Sequence, residues 1–313
     1  METRRIGRLE VSLVGIGCNN FGGRIDAERS ARVVHAALDE GVTFFDTADV
    51  YGGGASEEAL GRALADRRDA AVVATKFGGT MPDGSSGARP DHVRSACEAS
   101  LRRLGTDHID LYQLHFPDDR TPIGDTLEAL AELIDAGKVR EIGCSNVSAD
   151  QFDLAQRSAA DRDTHGFASV QNELSLLREQ PDHDELVRIM VEFETAFLPY
   201  FPLASGLLTG KYTRGERPDL STRLGGSTRM RERWMTDENL DAAERLAASA
   251  AQHDRTLLEL AFGWLAAQPC VASVIAGATS PDQVAANAAA VDWKLEADEL
   301  EEIAALRPRD GRD

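Results

Sequence analysis

Four cysteines in 313 residues, Cys18, Cys97, Cys144 and Cys270, are too few and too far apart for a disulfide framework or for zinc-ligand spacing. They are expected to be reduced thiols, mostly buried, and no metal site is expected. Basic residues are scarce as well: 34 Lys plus Arg stand against 53 Asp plus Glu, a formal net charge of −19, with no basic run. Such a surface repels a phosphate backbone, which argues against nucleic acid as a partner. No apolar run approaches the roughly 20 residues of a membrane span. The first residues, Met1–Cys18, lack the long apolar stretch and small-residue cleavage site of a secretory signal. A cytoplasmic protein with no membrane partner is the expectation. Low-complexity segments and a clear internal linker are also missing.

What is present is a sizeable apolar fraction, 42% of the residues, enough to bury a large core. After a short N-terminal stretch that reads as a hairpin, β-type apolar runs alternate with amphipathic ones. The strands are expected at Leu13–Gly17, Thr43–Asp46, Ala71–Lys76, Ile109–His115, Val139–Cys144, Ala168–Gln171, Ala196–Phe201 and Val271–Ile275. Helices are expected at Asp26–Glu40, Glu57–Asp66, Pro90–Leu104, Thr126–Ala136, Ala149–Ser158 and Asp182–Glu192, with Val33, Val34, Ala37 and Leu38 at helical spacing. Ser56 before Glu57, and Ser148 three residues before Gln151, read as helix starts, while Gly41, Gly105 and Gly137 sit where left-handed caps need glycine. Eight strands alternating with helices predict a parallel sheet closed into a single (β/α)8 barrel spanning residues 1–313. The one interruption is Thr213–Thr236 after strand seven, too long for an ordinary connection and expected to be a long loop.

In such a barrel the carboxyl ends of the strands converge on one site. Those ends carry Asp46, Tyr51 in the loop just after, Lys76 and His115. Each has an ordinary explanation in isolation: a cap, a loop aromatic, a surface charge, a core histidine. Together, an acid, a phenol, an ammonium and an imidazole at equivalent ends of neighbouring strands form a set for proton transfer.

The surrounding segments resemble the aldo-keto reductase family. The matching stretches are Gly41-Val-Thr-Phe-Phe-Asp46-Thr-Ala-Asp-Val-Tyr51-Gly, Ala74-Thr-Lys76-Phe-Gly, Ser100-Leu-Arg-Arg-Leu-Gly105 running on to Leu-His115, Gly137-Lys-Val-Arg-Glu-Ile-Gly-Cys-Ser145-Asn146, and Pro199-Tyr200-Phe-Pro-Leu203-Ala-Ser-Gly206-Leu-Leu-Thr-Gly-Lys211-Tyr. The resemblance implies reduction of a small aldehyde or ketone by hydride transfer from a nicotinamide dinucleotide. It gives Tyr51 the role of general acid, Lys76 and Asp46 that of tuning it, and His115 that of orienting the carbonyl. It further implies that Ser145, Asn146 and Gln171 hold the carboxamide while Tyr200, next to Phe201, stacks on the nicotinamide. Leu203, Ser205, Gly206, Leu207 and Lys211 would hold the phosphates, and Gly277, Thr279, Gln283 and Asn287 the adenosine end.

A Rossmann fingerprint is absent, since Gly15-Ile-Gly17-Cys-Asn-Asn-Phe-Gly22 has the wrong glycine spacing. The chain also departs from the family beside the 2′-phosphate. A basic residue is frequent there, but this sequence reads Gly277-Ala-Thr-Ser280, and Ala286 stands where a glutamate is common. NADPH is expected, with NADH as the alternative. One rival is a non-catalytic nucleotide-binding regulatory barrel of the same fold, against which all four catalytic positions are intact. Another is a hydrolase using Glu141 and Glu173, which needs an acid pair at fixed separation. The substrate pocket is expected from the loops Asn20–Gly23, Tyr51–Gly54, Phe116–Arg120 and Thr213–Thr236. The last carries Arg214, Arg217, Arg223, Arg229, Arg231 and Arg233 and is expected to close over the site. Neither the substrate nor the oligomeric state is encoded in these features.

Overall fold

The computed structural model describes residues 1–308; residues 309–313, the end of the expected domain, lie outside the described residues. The chain opens with the antiparallel hairpin β1 (Thr3–Ile6) and β2 (Leu9–Ser12). Its turn is set by Gly7, in the left-handed region at φ 53°, where a Cβ would run into the Glu141 carboxylate at 2.6 Å. Eight parallel strands follow: β3 (Val14–Gly17), β4 (Phe44–Asp46), β5 (Val72–Phe77), β6 (Ile109–Leu114), β7 (Val139–Ser145), β8 (Ser169–Gln171), β9 (Ala196–Phe197) and β10 (Val274–Gly277). They pair in chain order, with β10 beside β3. The other edge closes through a parallel bridge between Phe197 and Val271, with Phe197 N–H donating to the Cys270 carbonyl at 2.7 Å. This is the (β/α)8 barrel that the alternation predicts.

The two-residue period of the strands separates two cores. Phe45, Val73 and Tyr112 point outward beneath the helices, while Phe44, Ala74 and Leu111 point inward. Ile6, Leu9 and Val11 of the hairpin join the inner cluster, so the hairpin plugs the amino-terminal mouth of the barrel. The same alternation aims Asp46, Lys76 and Gln113, two residues further along their strands, inward at the opposite mouth. Sheet register alone thus brings the charged residues together.

The helices are α1 (Ala27–Asp39), α2 (Ala55–Leu64), α3 (Pro90–Leu104), α4 (Ile123–Asp135), α5 (Ala149–Asp161), α6 (His183–Glu192), α7 (Thr228–Trp234), α8 (Asp237–Gln252), α9 (Leu257–Ala267), α10 (Pro281–Ala289) and α11 (Ala297–Leu306). None of them is long and apolar enough to cross a membrane. The first six match the expected helices to within a few residues. Ser148 and Gln151 form the capping box that their spacing predicts, and Gly41, Gly105 and Gly137 have φ of 77°, 65° and 71°. Ser56 is different. Helix α2 begins one residue earlier, and the Ser56 hydroxyl donates to the Cys18 carbonyl at 2.8 Å, tying two strand-end loops together.

The carboxyl-terminal third departs further from the sequence reading. Strand β9 stops at Phe197, because Pro199 has no N–H for the ladder and Phe201 turns to φ 53°. The last strand is shifted towards Gly277. The expected long loop Thr213–Thr236 contains α7, capped by Ser227, whose hydroxyl accepts from Met230 N–H. Helices α8 to α11 were not foreseen. Helix α9 is buried on nearly every side, so it lacks the amphipathic stripe that marks the others, although its Thr256–Glu259 capping box was visible in the sequence. The cysteines are unpaired; Cys18, Cys97 and Cys144 are buried and Cys270 partly so.

Candidate active site

The centre of the site is a buried ion pair. Lys76, with no exposed surface, places Nζ 2.7 and 2.6 Å from the two Asp46 oxygens and donates to the Thr47 carbonyl at 3.0 Å. Asp46 Oδ1 also accepts from Gln171 Nε2 at 2.9 Å and from Gln113 Nε2 at 3.2 Å. A buried carboxylate needs such donors, since isolated ionised groups are expensive to desolvate. Burial works against the Lys76 charge, but Asp46 and Tyr51 outweigh it and hold the ammonium above the ordinary lysine value.

Tyr51 is delivered by the turn that follows β4. Gly52 and Gly53 adopt φ of 61° and 63°, a conformation that L side chains resist, and the chain reverses into α2 at once. Lys76 Nζ lies 5.4 Å from the centre of the Tyr51 ring. Burial pushes the phenol above its ordinary value, and the Lys76 ammonium pulls against that rise. The expected lowering by lysine is therefore present but does not prevail over desolvation.

His115 follows β6, held by its N–H donating to the Phe77 carbonyl at 2.8 Å. Its ring meets Tyr51 edge-on at 5.9 Å and stacks on Phe116 at 4.5 Å. Nδ1 is buried without a hydrogen-bond partner, so this is not a satisfied core histidine. Burial, helped by the Lys76 charge, takes the imidazole down to about 3, which keeps it neutral throughout the physiological range.

A cavity of about 580 Å³ runs from Tyr51 and His115 to Asn287 at the far end. Ser145, Asn146, Gln171, Tyr200, Phe201, Leu203, Ser205, Gly206, Lys211, Gly277, Thr279 and Gln283 all line it, as the sequence predicts. Two expected residues do not. Lys76 lies behind Asp46 and Tyr51, and the Leu207 side chain packs into the hydrophobic core. The loops expected to form a substrate pocket contribute Asn20, Tyr51, Phe116 and Arg223. Sequence reasoning missed Gln113, and it missed Asn19 and Arg24 in the first loop as direct lining residues.

The cavity fits a dinucleotide in its donor set. Tyr200 Oη donates to Asn146 Oδ1 at 2.7 Å, and Asn146 Nδ2 donates to the His115 carbonyl at 2.9 Å, which links the flat end of the cavity to the histidine. Ser145 Oγ donates to the Gln171 carbonyl at 2.7 Å. Further along, Ala204, Ser205 and Gly206 all have positive φ, with the Ala204 and Gly206 N–H groups donating to the Phe201 and Leu203 carbonyls in a tight turn beside the cavity. A Cβ on Gly206 would stand 3.0 Å from Lys211 Nζ, so glycine keeps the lysine free to face the cavity. Lys211 makes no ion pair among the described residues. At the far end Gln283 Oε1 accepts from Thr279 N–H at 2.8 Å, and Asn287 is buried.

The acid pair of the hydrolase reading is taken apart. Glu141 accepts from Arg8 of the hairpin at 2.8 Å, at the amino-terminal mouth, whereas Glu173 is held beside the cavity by Arg233 at 2.6 Å. No single substrate can touch both.

Comparison with known proteins agrees with the geometry. A model described as the Aldo/keto reductase family matches residues 13–308. A protein of rice (Oryza sativa subsp. japonica) named probable voltage-gated potassium channel subunit beta is 34% identical over 300 residues, 93% of this chain and 92% of that one. A soybean (Glycine max) protein named probable aldo-keto reductase 1 is 34% identical over 302 residues, 94% of this chain and 85% of that one. The structure of a glycerol dehydrogenase from Gluconobacter oxydans superposes with a TM-score of 0.83 at 31% identity, covering 97% of this chain and 94% of that one.

Proposed function

The chain belongs to the aldo/keto reductase family of NAD(P)H-dependent oxidoreductases, and we propose that Tyr51 is the acid that protonates its carbonyl substrate. When bound, the reduced nicotinamide supplies a hydride to the carbonyl carbon. Negative charge then gathers on the carbonyl oxygen, and the Tyr51 Oη proton passes to it. Neutral His115 donates a hydrogen bond to the same oxygen and stabilises the charge as it develops. Lys76 favours the phenolate that remains, and Asp46 holds Lys76 charged and in place. Asn146, Ser145 and Gln171 would hold the carboxamide, Tyr200 would face the nicotinamide ring, and Lys211 with the backbone at Ser205 and Gly206 would hold the phosphates.

The observation that carries this reading is the Lys76 ammonium lodged between the Asp46 carboxylate and the Tyr51 ring. A merely structural ion pair has no need of a phenol facing a cavity. NADPH is the proposed coenzyme, with NADH as the alternative. Support for a dinucleotide of either kind is positive charge along the cavity: Lys211, Arg24 and Arg223 line it and pair with no carboxylate among the described residues. We further propose that the whole chain, 1–313, works as one barrel domain, that its partner is a small carbonyl compound, and that its setting is the cytoplasm. The unpaired thiols support that setting.

The name of the rice relative favours the regulatory barrel as a second reading. One assay separates the two. Purified protein is given NADPH or NADH with a panel of aldehydes and ketones, while nicotinamide absorbance and fluorescence are followed. Turnover with at least one carbonyl is expected. Fluorescence quenching without turnover on any of them would favour the regulatory reading.

A further inference from the structure

We propose that Arg29, projecting from α1, supplies the guanidinium that reads the coenzyme's 2′-phosphate in place of the basic residue missing from Gly277–Ser280. The inference rests on the coenzyme reading above. Helix α1 packs against α10, which brings the first turn of one beside the loop that leads into the other. Arg29 Nη2 lies 3.4 Å from the Thr279 carbonyl, so its charge sits at the adenosine end of the cavity.

Two further observations leave that charge free for a ligand. The acidic side chains closest in sequence are both engaged elsewhere. Asp26 Oδ1 accepts from the Arg29 backbone N–H at 2.8 Å, and Glu28 accepts from Arg32 at 2.5 Å. Among the described residues Arg29 itself forms no ion pair. Gln283 in turn is held by Thr279, whose N–H and Oγ1 lie 2.8 and 3.2 Å from Gln283 Oε1. Its amide nitrogen is left as a second donor on the same loop. A planar guanidinium offers two parallel N–H donors to a phosphate, a geometry that lysine lacks. An adenosine without the 2′-phosphate offers the guanidinium no anion to bind.

The test measures dissociation constants for NADPH and NADH by nicotinamide fluorescence. It uses the full chain and the variants Arg29→Gln, Arg29→Lys and Arg62→Gln. Arg29→Gln is expected to weaken NADPH binding about tenfold or more and to leave NADH within about twofold, which also shows that the variant is folded. Arg29→Lys should fall between, and Arg62→Gln, at an exposed arginine of α2, should match the parent. Adenosine 2′,5′-bisphosphate should lose its competitive advantage over 5′-AMP in Arg29→Gln alone. If Arg29→Gln keeps the parental NADPH affinity, or weakens both dinucleotides equally, this inference is overturned and the coenzyme reading stands. If the parent binds neither dinucleotide, the coenzyme reading falls and takes this one with it.

Discussion

Nζ of Lys76 lies 2.6 Å from Oδ2 of Asp46, and neither side chain is more than 5% exposed. The pair sits at the carboxyl-terminal mouth of the barrel, above the inward-facing Phe44, Ala74 and Leu111. Two buried charges in such a place are stabilising only when hydrogen bonds satisfy the rest of their polar atoms. Gln113, Gln171 and the Thr47 carbonyl do so. The arrangement holds a positive charge beside a phenol that burial pushes up, and the ammonium offsets part of that rise.

Replacing Tyr51 by Phe removes the proton donor and leaves the cavity shape intact. The rate of carbonyl reduction should fall by about 10²–10⁴-fold, while quenching of nicotinamide fluorescence stays as in the parent. A variant that keeps its parental kcat with hydride transfer rate-limiting would show that the proton comes from elsewhere.

Replacing Lys76 by Met keeps the volume and deletes the charge. Asp46 is then buried without its counter-ion, at a cost of about 3–5 kcal/mol in stability. Adding Asp46→Asn should recover much of that loss. In both variants Tyr51 becomes harder to ionise, so the acid limb of the pH–rate profile for alcohol oxidation should move to higher pH. A profile that stays where it was in the double variant would uncouple Lys76 from Tyr51.

Much of this was legible in the sequence because it is periodic. Strand alternation predicts that Asp46 and Lys76 share a face, and the Gly52–Gly54 run after Tyr51 announces a tight turn. The residues expected to hold the coenzyme come from motif resemblance, and nearly all of them line the cavity. What was hidden depends on packing across distant elements. Gln113 sits mid-strand, and only the register with Lys76 places it under Asp46. Arg29 reaches Thr279 across 250 residues of chain. The Leu207 side chain faces the core because Ser205 and Gly206 turn the backbone, which composition does not reveal.

Asp49, two residues before Tyr51, offers a pH test. It is 1% exposed, with Oδ1 lacking a hydrogen-bond partner. Burial, aided by the Glu57 charge, raises its carboxyl to about 7. With an unfolded value near 3.9, the raised folded value means its contribution is fully present below about pH 4 and is lost as pH rises through 7. Asp49→Asn should remove that loss, which is on the order of a few kcal/mol. Relative to the parent, the variant should gain clearly more stability in urea unfolding at pH 8 than at pH 5. Equal differences at both pH values would refute the raised carboxyl.

The segment Thr213–Thr236 is expected to order over only part of its length when coenzyme binds, and its contacts indicate which part. Arg214 reaches three carboxylates of α8: Asp237 at 3.2 Å, Glu244 at 3.1 Å, and Asp241. Arg233 holds Glu173 at 2.6 Å and lies over Phe201 and Trp234. Both ends are therefore pinned to the barrel. Between them Arg24 donates to the Ser221 carbonyl and Arg223 lies 3.5 Å from Asn19 Oδ1, exposed contacts with the first loop across the cavity, while Leu224 just beyond is buried in the core. Ordering backbone costs about 1–2 kcal/mol per residue, which favours a response over a short stretch. Anionic phosphates beneath Arg24 and Arg223 would draw that stretch down. Hydrogen exchange with and without NADP+ should accordingly show added protection over residues 215–223 and little change over α7. Equal protection of the whole segment in both states, at every exchange time, would mean that it is a fixed tether and no lid.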